Sequence, residues 1–326
     1  MDQFRPTRRR LLSIGAGVVA LSGCAGEEGN DGDGAPETPL PDPIEDRGYY
    51  DRLLPPVRPS EFPDPVLRFW AFERTAMERY VHLLDPYLVL FIAEVLTPLQ
   101  MKEPPDEFDR LVFATPPDTG YFAYALLEGV PIPTDLVPTF LEGGRWTDSV
   151  RVHDEGSHGG FEVYSTSRQS ISWLAISEER IFVVPELPNF ELASHEFLVR
   201  VIDTWNGDTG SLLRENEPAR RLCETLSTPG ATVGAVRLAN GTDGDDQYIP
   251  PGATAGGVGF SLQAPPEKRR LNYAGVYPDE PHESSSFERF LHDNWNADRT
   301  LGLEEPTIQR DGSVLLATGD RPLDER

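Results

Sequence analysis

Short apolar runs broken by turn residues dominate the chain, and they predict strands. Val66–Glu73, "VLRFWAFE", reads as one strand. Leu111–Ala114 and Tyr121–Glu128, "YFAYALLE", read as two more, and Thr134 is placed to cap a short helix carrying Leu136, Val137 and Phe140. "SVRVHDE" and "FEVYSTS" form a hairpin around Gly156 to Gly160, and "ISWLAIS" and "RIFVVPE" pair across a Glu-Glu turn. These runs are short, β-branched and aromatic, as strands require.

Helical spacing appears in four places. Asp85-Pro86 reads as an N-cap with Pro at the first helical position, ahead of Tyr87–Leu99, "YLVLFIAEVLTPL". Its longest uncharged run is seven residues, Tyr87 to Ala93. That is a buried helix, because a span needs roughly 20 apolar residues. Ser194 is placed to cap a helix in which Phe197, Leu198, Val201, Ile202 and Trp205 recur at helical spacing, ended by Asn206-Gly207. Asn216 caps the next, to about Leu226, and Ser286 caps a last one with Phe287, Phe290, Leu291 and Trp295.

Strand rhythm returns after Thr232–Val236. "GVGFSLQ" and "LNYAGVYP" form one pair, and Asp311-Gly312 joins "TIQR" to "SVLLATG" as a strong hairpin signal. Residues near 109–166 and 257–319 both read β-β-α-β-β. The expected fold class is therefore α+β, an internal duplication of two β-β-α-β-β units forming antiparallel sheets covered by helices. The units span 48–230, with a helical insert, and 231–326.

The start of the chain follows other rules. Arg5, Arg8, Arg9 and Arg10 precede Leu11–Gly23, thirteen uncharged residues. This is an export signal in form. Thr7-Arg8-Arg9-Arg10-Leu11-Leu12 resembles the twin-arginine motif, with Leu11 and Ser13 as mild departures. Leu21-Ser22-Gly23-Cys24 resembles a lipoprotein box, which makes Cys24 the expected lipidation site and 1–23 a removable signal. Gly15-Ala16-Gly17-Val18-Val19-Ala20 matches a dinucleotide loop in letters only, because no strand precedes it. Ala25–Asp46 holds eight acids and no base. It cannot offset its ordering entropy and reads as a disordered tether, 24–47.

Charge narrows the partners. The chain carries 54 acidic and 29 basic residues, a net −25. One acid and four arginines lie in the first 23 residues, so the remainder carries −28. Such a body excludes nucleic acid, whose phosphates need basic partners. Only Lys102 and Lys268 are lysines. Acid excess with lysine scarcity resembles proteins of extreme halophiles. Cys223 is the only cysteine besides Cys24, so no disulfide is available after lipidation. With Leu222 and Leu226 on the same helical face, it reads as a buried structural thiol.

"YFAYALLEG", "GGFEVYSTS", "LVRVIDTWNGDTGSLLREN" and the signal together resemble the haloarchaeal twin-arginine-exported lipoproteins of unknown function. The resemblance implies location and architecture and carries no activity.

Candidate chemistry is sparse. His153-Asp154-Glu155-Gly156-Ser157-His158 gathers imidazoles and carboxylates in a hairpin loop, with His153 and His158 as candidate metal ligands. The solvated-loop reading stands beside it. Asp243, Asp245 and Asp246 offer oxygens to calcium in a long polar loop, which also reads as a mobile surface loop. Asn240-Gly241-Thr242 is the glycosylation sequon of that loop. Ser194-His195-Glu196 reads as a cap and surface residues, because neighbours on a helix point in different directions. Trp146, beside Gly143-Gly144-Arg145, is a candidate exposed aromatic. No G-x-S-x-G, P-loop or H-E-x-x-H motif occurs, and no cofactor is expected. The expected function is a lipid-anchored, non-enzymatic binding or envelope-structural domain on the outer face of the cytoplasmic membrane. Its partners would be the membrane, through lipid on Cys24, and an envelope protein or exported ligand. The alternatives are an exported metal-dependent hydrolase built on the His153–His158 loop, or a small-solute receptor with a cleft between its halves.

Overall fold

β1 (Val66–Glu73) has apolar residues at both odd and even positions, so both of its faces must be covered. In the computed structural model it lies at the middle of the sheet, and five of its eight residues are paired on both sides. On one side it pairs antiparallel with β2 (Arg110–Thr115), and on the other with β8 (Gly230–Arg237). The structure describes residues 50–61, 66–74, 109–115, 123–129, 151–167, 172–187, 191–226, 230–238, 246–261, 268–281, 284–295 and 304–322. All belong to one compact unit, Ala35–Arg326.

The remaining strands are β3 (Tyr124–Glu128), β4 (Val152–His158), β5 (Phe161–Thr166), β6 (Trp173–Ile176), β7 (Arg180–Val184), β9 (Ala255–Ser261), β10 (Lys268–Val276), β11 (Glu304–Asp311) and β12 (Val314–Pro322). The twelve form one antiparallel sheet in the order β11-β12-β10-β9-β8-β1-β2-β3-β7-β6-β5-β4. This corrects the expected fold class. The two α+β units do not build separate helix-covered sheets; a continuous ladder across β1 and β8 makes them one sheet. The two halves meet in backbone hydrogen bonds, with seven residue pairs from Val66↔Arg237 to Phe72↔Ala231.

The expected repeat is also redrawn. Outward from the seam, one side runs β8, β9, β10, β12, β11 and the other β1, β2, β3, β7, β6. With β4 and β5 left out, the strand order is the same on both sides. β7 therefore corresponds to β12, and the hairpin β6–β7 to β11–β12. The hairpin β4–β5, which the sequence reading matched to β11–β12, lies beyond the repeat, added to the outer edge of β6.

Alternation splits the core into two layers. Leu67, Phe69, Val112, Leu126, Phe182 and Leu316 face one side, and Phe72, Leu111, Phe113, Leu127, Ile181 and Leu315 the other. The first layer receives α1 (Tyr50–Leu53), α2 (Ser194–Asn206), α3 (Leu212–Glu215) and α4 (Glu217–Leu226). The second receives α5 (Ser285–Trp295) through Phe287, Phe290 and Leu291. Cys223 is buried on α4 beside Leu222 and Leu226, as expected of a structural thiol.

Helix ends agree in part with the sequence. Asn216 Oδ1 accepts from the Ala219 amide at 2.9 Å and caps α4 as predicted. Ser194 does not cap α2: its Oγ accepts from the Leu187 amide at 3.0 Å, and Ala193 holds the N-cap position. Ser286 lies inside α5, and Ser284 precedes the helix, its Oγ donating to Glu288 Oε1 at 2.7 Å. Three consecutive serines gave the pattern no way to choose among them. The segments predicted as helices at Tyr87–Leu99 and Thr134–Phe140 lie outside the described residues.

The chain enters the domain as a strap. Tyr124 Oη donates to the Leu53 carbonyl, and the Leu212 amide donates to the Leu54 carbonyl at 2.8 Å. Arg200 donates to the Pro56 carbonyl and grips both oxygens of Glu61, at 2.7 and 3.1 Å. Burial pushes the Glu61 carboxyl up, but Arg200 and the Arg58 amide outweigh it and hold the group below its ordinary value.

The seam contains a glycine by necessity. Gly234 lies opposite Phe69 in the β1–β8 register, and a Cβ there would come 2.3 Å from Phe69 Cζ. Phe69 is 1% exposed and has no room to yield. Gly234→Ala is expected to lower stability by about 1–3 kcal/mol through overpacking, read as a shift in denaturant midpoint in high salt.

Candidate functional site

The His153–His158 segment is not a loop. It is β4, the outermost strand, paired with β5 and turned by Gly159 and Gly160, whose φ values of 57° and 86° suit a tight hairpin. β4 contains a bulge between Asp154 and Gly156, with Glu155 as the extra residue. One extra residue reverses facing beyond it. His153, opposite Ser165, and His158, opposite Phe161, therefore share the face toward α2. Their partners lie four residues apart, so the imidazoles are about 13 Å apart along the strand, too far to share one ion. Among the described residues no group of three or more His, Cys, Asp or Glu side chains is placed to hold a metal.

Instead His158 lies at one end of α2. His158 Nε2 is 2.6 Å from Asp203 Oδ1. Asn206 Nδ2 donates to the Gly159 carbonyl at 2.8 Å, fixing the turn to the same end of the helix. Asn206 and Asp203 were not singled out by sequence, because only the fold brings α2 to this turn. At the other end His195 of α2 lies tilted against Trp173 of β6, with centroids 4.5 Å apart and planes at 40°. His195 and Asp203 are eight residues apart, about 12 Å of helix, so helix and strand match in length.

Between them lies a row across three strands. His153 of β4 faces Ser165 of β5, and Ser165 faces Trp173 of β6. Opposite residues have Cβ atoms about 5 Å apart, so side chains in such a row touch or nearly touch. Ser165 Oγ donates to Glu155 Oε1 at 2.5 Å, which holds the bulge residue over the row. α2 packs on β6 and β7, leaving β4 and β5 to project beside it. His153, Glu155 and His195 are exposed, and Ser165 and Trp173 half-buried. On the opposite face Tyr164 has its hydroxyl raised above the ordinary value, by burial first and then by the charges of Glu162 and Asp154.

No family model matches the chain. No curated protein matches it. Two solved structures of TP0453 are similar to it. Crystal form III gives a TM-score of 0.42 at 12% identity, covering 78% of this chain and 90% of that one. Crystal form I gives 0.41 at 11% identity, covering 78% and 88%. Likeness at these levels carries no functional argument.

The candidate calcium loop has a different fate. Asp246 is 7% exposed, and its carboxylate is taken by the protein. Oδ2 accepts from Arg68 of β1 through Nε and Nη2, each at 2.9 Å. Oδ1 accepts from the Tyr248 amide at 2.7 Å. Asp243, Asp245 and Asn240 lie outside the described residues, as do Arg8, Arg9, Cys24 and Trp146. No helix among the described residues is long and apolar enough to cross a membrane.

Proposed function

We propose that this is a lipid-anchored extracytoplasmic binding domain, held at the outer face of the cytoplasmic membrane through Cys24 and not catalytic. The observation that carries the reading is the order of segments at the start of the chain. Twin arginines, a thirteen-residue uncharged run, Leu21-Ser22-Gly23-Cys24 and an acidic tether follow one another. A short apolar run ending in such a box is processed and lipidated, not left as a span. The β4–β5 hairpin supports the binding role. Its β5 strand is anchored in the core through Phe161, Val163 and Tyr164, while β4 is the outermost strand and carries exposed polar residues.

Cys24→Ser tests the anchor. Wild-type protein is expected in the membrane fraction, with a lipid mass adduct on its N-terminal peptide. The variant is expected in the soluble fraction or the medium. Wild-type protein that is soluble and unmodified would refute the reading.

A further inference from the structure

We infer that Asn206-Gly207, at the C-terminal end of α2, is a site of spontaneous deamidation. The β4–β5 turn guards it, and conversion releases that turn from the helix. The inference goes beyond the binding role and does not rest on it. Asn followed by Gly suits this chemistry, because glycine has no Cβ to keep its nitrogen from the asparagine side chain. The Gly207 nitrogen loses its proton to water and attacks Asn206 Cγ. A bond forms between them, the Cγ–Nδ2 bond breaks, and Nδ2 takes up a proton and leaves as ammonia. Water then opens the five-membered imide at one of its two carbonyls. The product is an aspartate or an isoaspartate at position 206. Water is consumed, ammonia is released, and no oxidant or reductant takes part.

The fold commits both reacting groups elsewhere. Asn206 Nδ2 donates to the Gly159 carbonyl at 2.8 Å. The Gly207 amide donates to the Thr204 carbonyl at 3.1 Å and closes the helix in the left-handed conformation, with φ at 80°. Ring closure breaks both bonds, so it waits for the last turn of α2 and the hairpin turn to part. The contact between them is close. A Cβ on Gly159 would lie 2.5 Å from Asn206 Nδ2 and 2.7 Å from Ile202 Cγ2. The His158–Asp203 pair, at 2.6 Å, is the second fastening. Asn206 is exposed, so water reaches it as the turn lifts. Conversion then works against reclosing. A carboxylate has no N–H for the Gly159 carbonyl and meets it oxygen to oxygen. It lies three residues from Asp203, on the same helical face. It also places negative charge at the end of the helix that disfavours it.

The test follows the full-length protein, in detergent and high salt, through a long incubation at mildly alkaline pH. Trypsin then releases Val201–Arg214, and mass spectrometry separates its asparagine, aspartate and isoaspartate forms. The synthetic Val201–Arg214 peptide is the unguarded reference. Asn206 in the wild-type protein should convert about tenfold or more slowly than in the peptide. His158→Ala removes one fastening and should convert several-fold faster than wild type, with an unchanged circular dichroism spectrum. Asn206→Asp, made directly, should speed hydrogen exchange at residues 158–161 while the rest of the sheet exchanges as before. A wild-type rate equal to that of the peptide would overturn the guard, as would a His158→Ala rate equal to wild type. No conversion in either protein while the peptide converts fully would overturn the site. Exchange in Asn206→Asp equal to wild type would overturn the release.

Discussion

Moved from about 1 M to about 0.01 M salt, over which the Debye length grows from about 3 Å to about 30 Å, the protein is expected to unfold. The net charge of −25 comes from 54 acids against 29 bases, and on this expectation salt screening is what lets the acids of the folded part share one surface. At low salt each carboxylate feels many others, and self-repulsion works against the folded state. Local ion pairs do not compensate. The Arg220 pairs with Glu217 and Glu224 are solvent-facing, and such pairs contribute about 0–1 kcal/mol. Circular dichroism during a salt titration should show a cooperative loss of signal below a few hundred millimolar. Restoring salt should restore the spectrum, and an uncharged osmolyte at equal osmolality should do so less well. A flat titration would refute the charge argument.

Arg68→Met is expected to destabilise the protein by about 3–5 kcal/mol, because it leaves the Asp246 carboxylate buried without its cation. The Asp246 side chain is 4% exposed and the Arg68 side chain 21%. The guanidinium also lies over the Tyr248 ring, 5.9 Å from its centroid, and the Tyr248 carbonyl accepts from Tyr273 Oη. Losing Arg68 therefore loosens the 246–249 turn that closes over β1 and β10. The double variant Arg68→Met/Asp246→Leu should recover much of the loss, since an apolar pair of similar volume is often as stable as a buried ion pair. Denaturant unfolding in high salt measures both. A single variant costing under about 1 kcal/mol would place the pair with ordinary surface bridges.

Most strands were legible because their apolar residues are contiguous. β1 was read at Val66–Glu73 with its observed limits, and the Asp311-Gly312 turn joins β11 to β12 as expected. Pairing between distant segments was not legible. β1 and β8 are separated by more than 150 residues, and nothing local in "VLRFWAFE" names "GATVGAVR" as its neighbour. That ladder decided between two sheets and one. The order of strands also misled the repeat. β4–β5 follows β3 in sequence, but β7 takes the place beside β3, so the correct match skips a hairpin.

The site was half legible. The His153–His158 segment was singled out for its residue types, but its bulge was not foreseen, because Asp154-Glu155-Gly156 reads equally well as a loop. Two imidazoles five residues apart invited a metal; one extra residue in the strand put them on one face and still about 13 Å apart. The partners Ser165, Trp173, His195, Asp203 and Asn206 come from three further elements, and only the tertiary arrangement joins them.

The seam has the symmetry of a dimer interface. Because β1 and β8 hold equivalent places in the strand order on the two sides of the seam, a chain of half this length would present β1 as an open edge. Two such chains could close that edge on each other about a two-fold axis, as symmetric dimers do. Joining them in tandem makes the encounter intramolecular, at an effective concentration on the order of millimolar. It also frees the copies to differ. One half could then gain a hairpin that a strict homodimer would have had to carry twice, and specialise a single outer corner while the other half kept the plain frame.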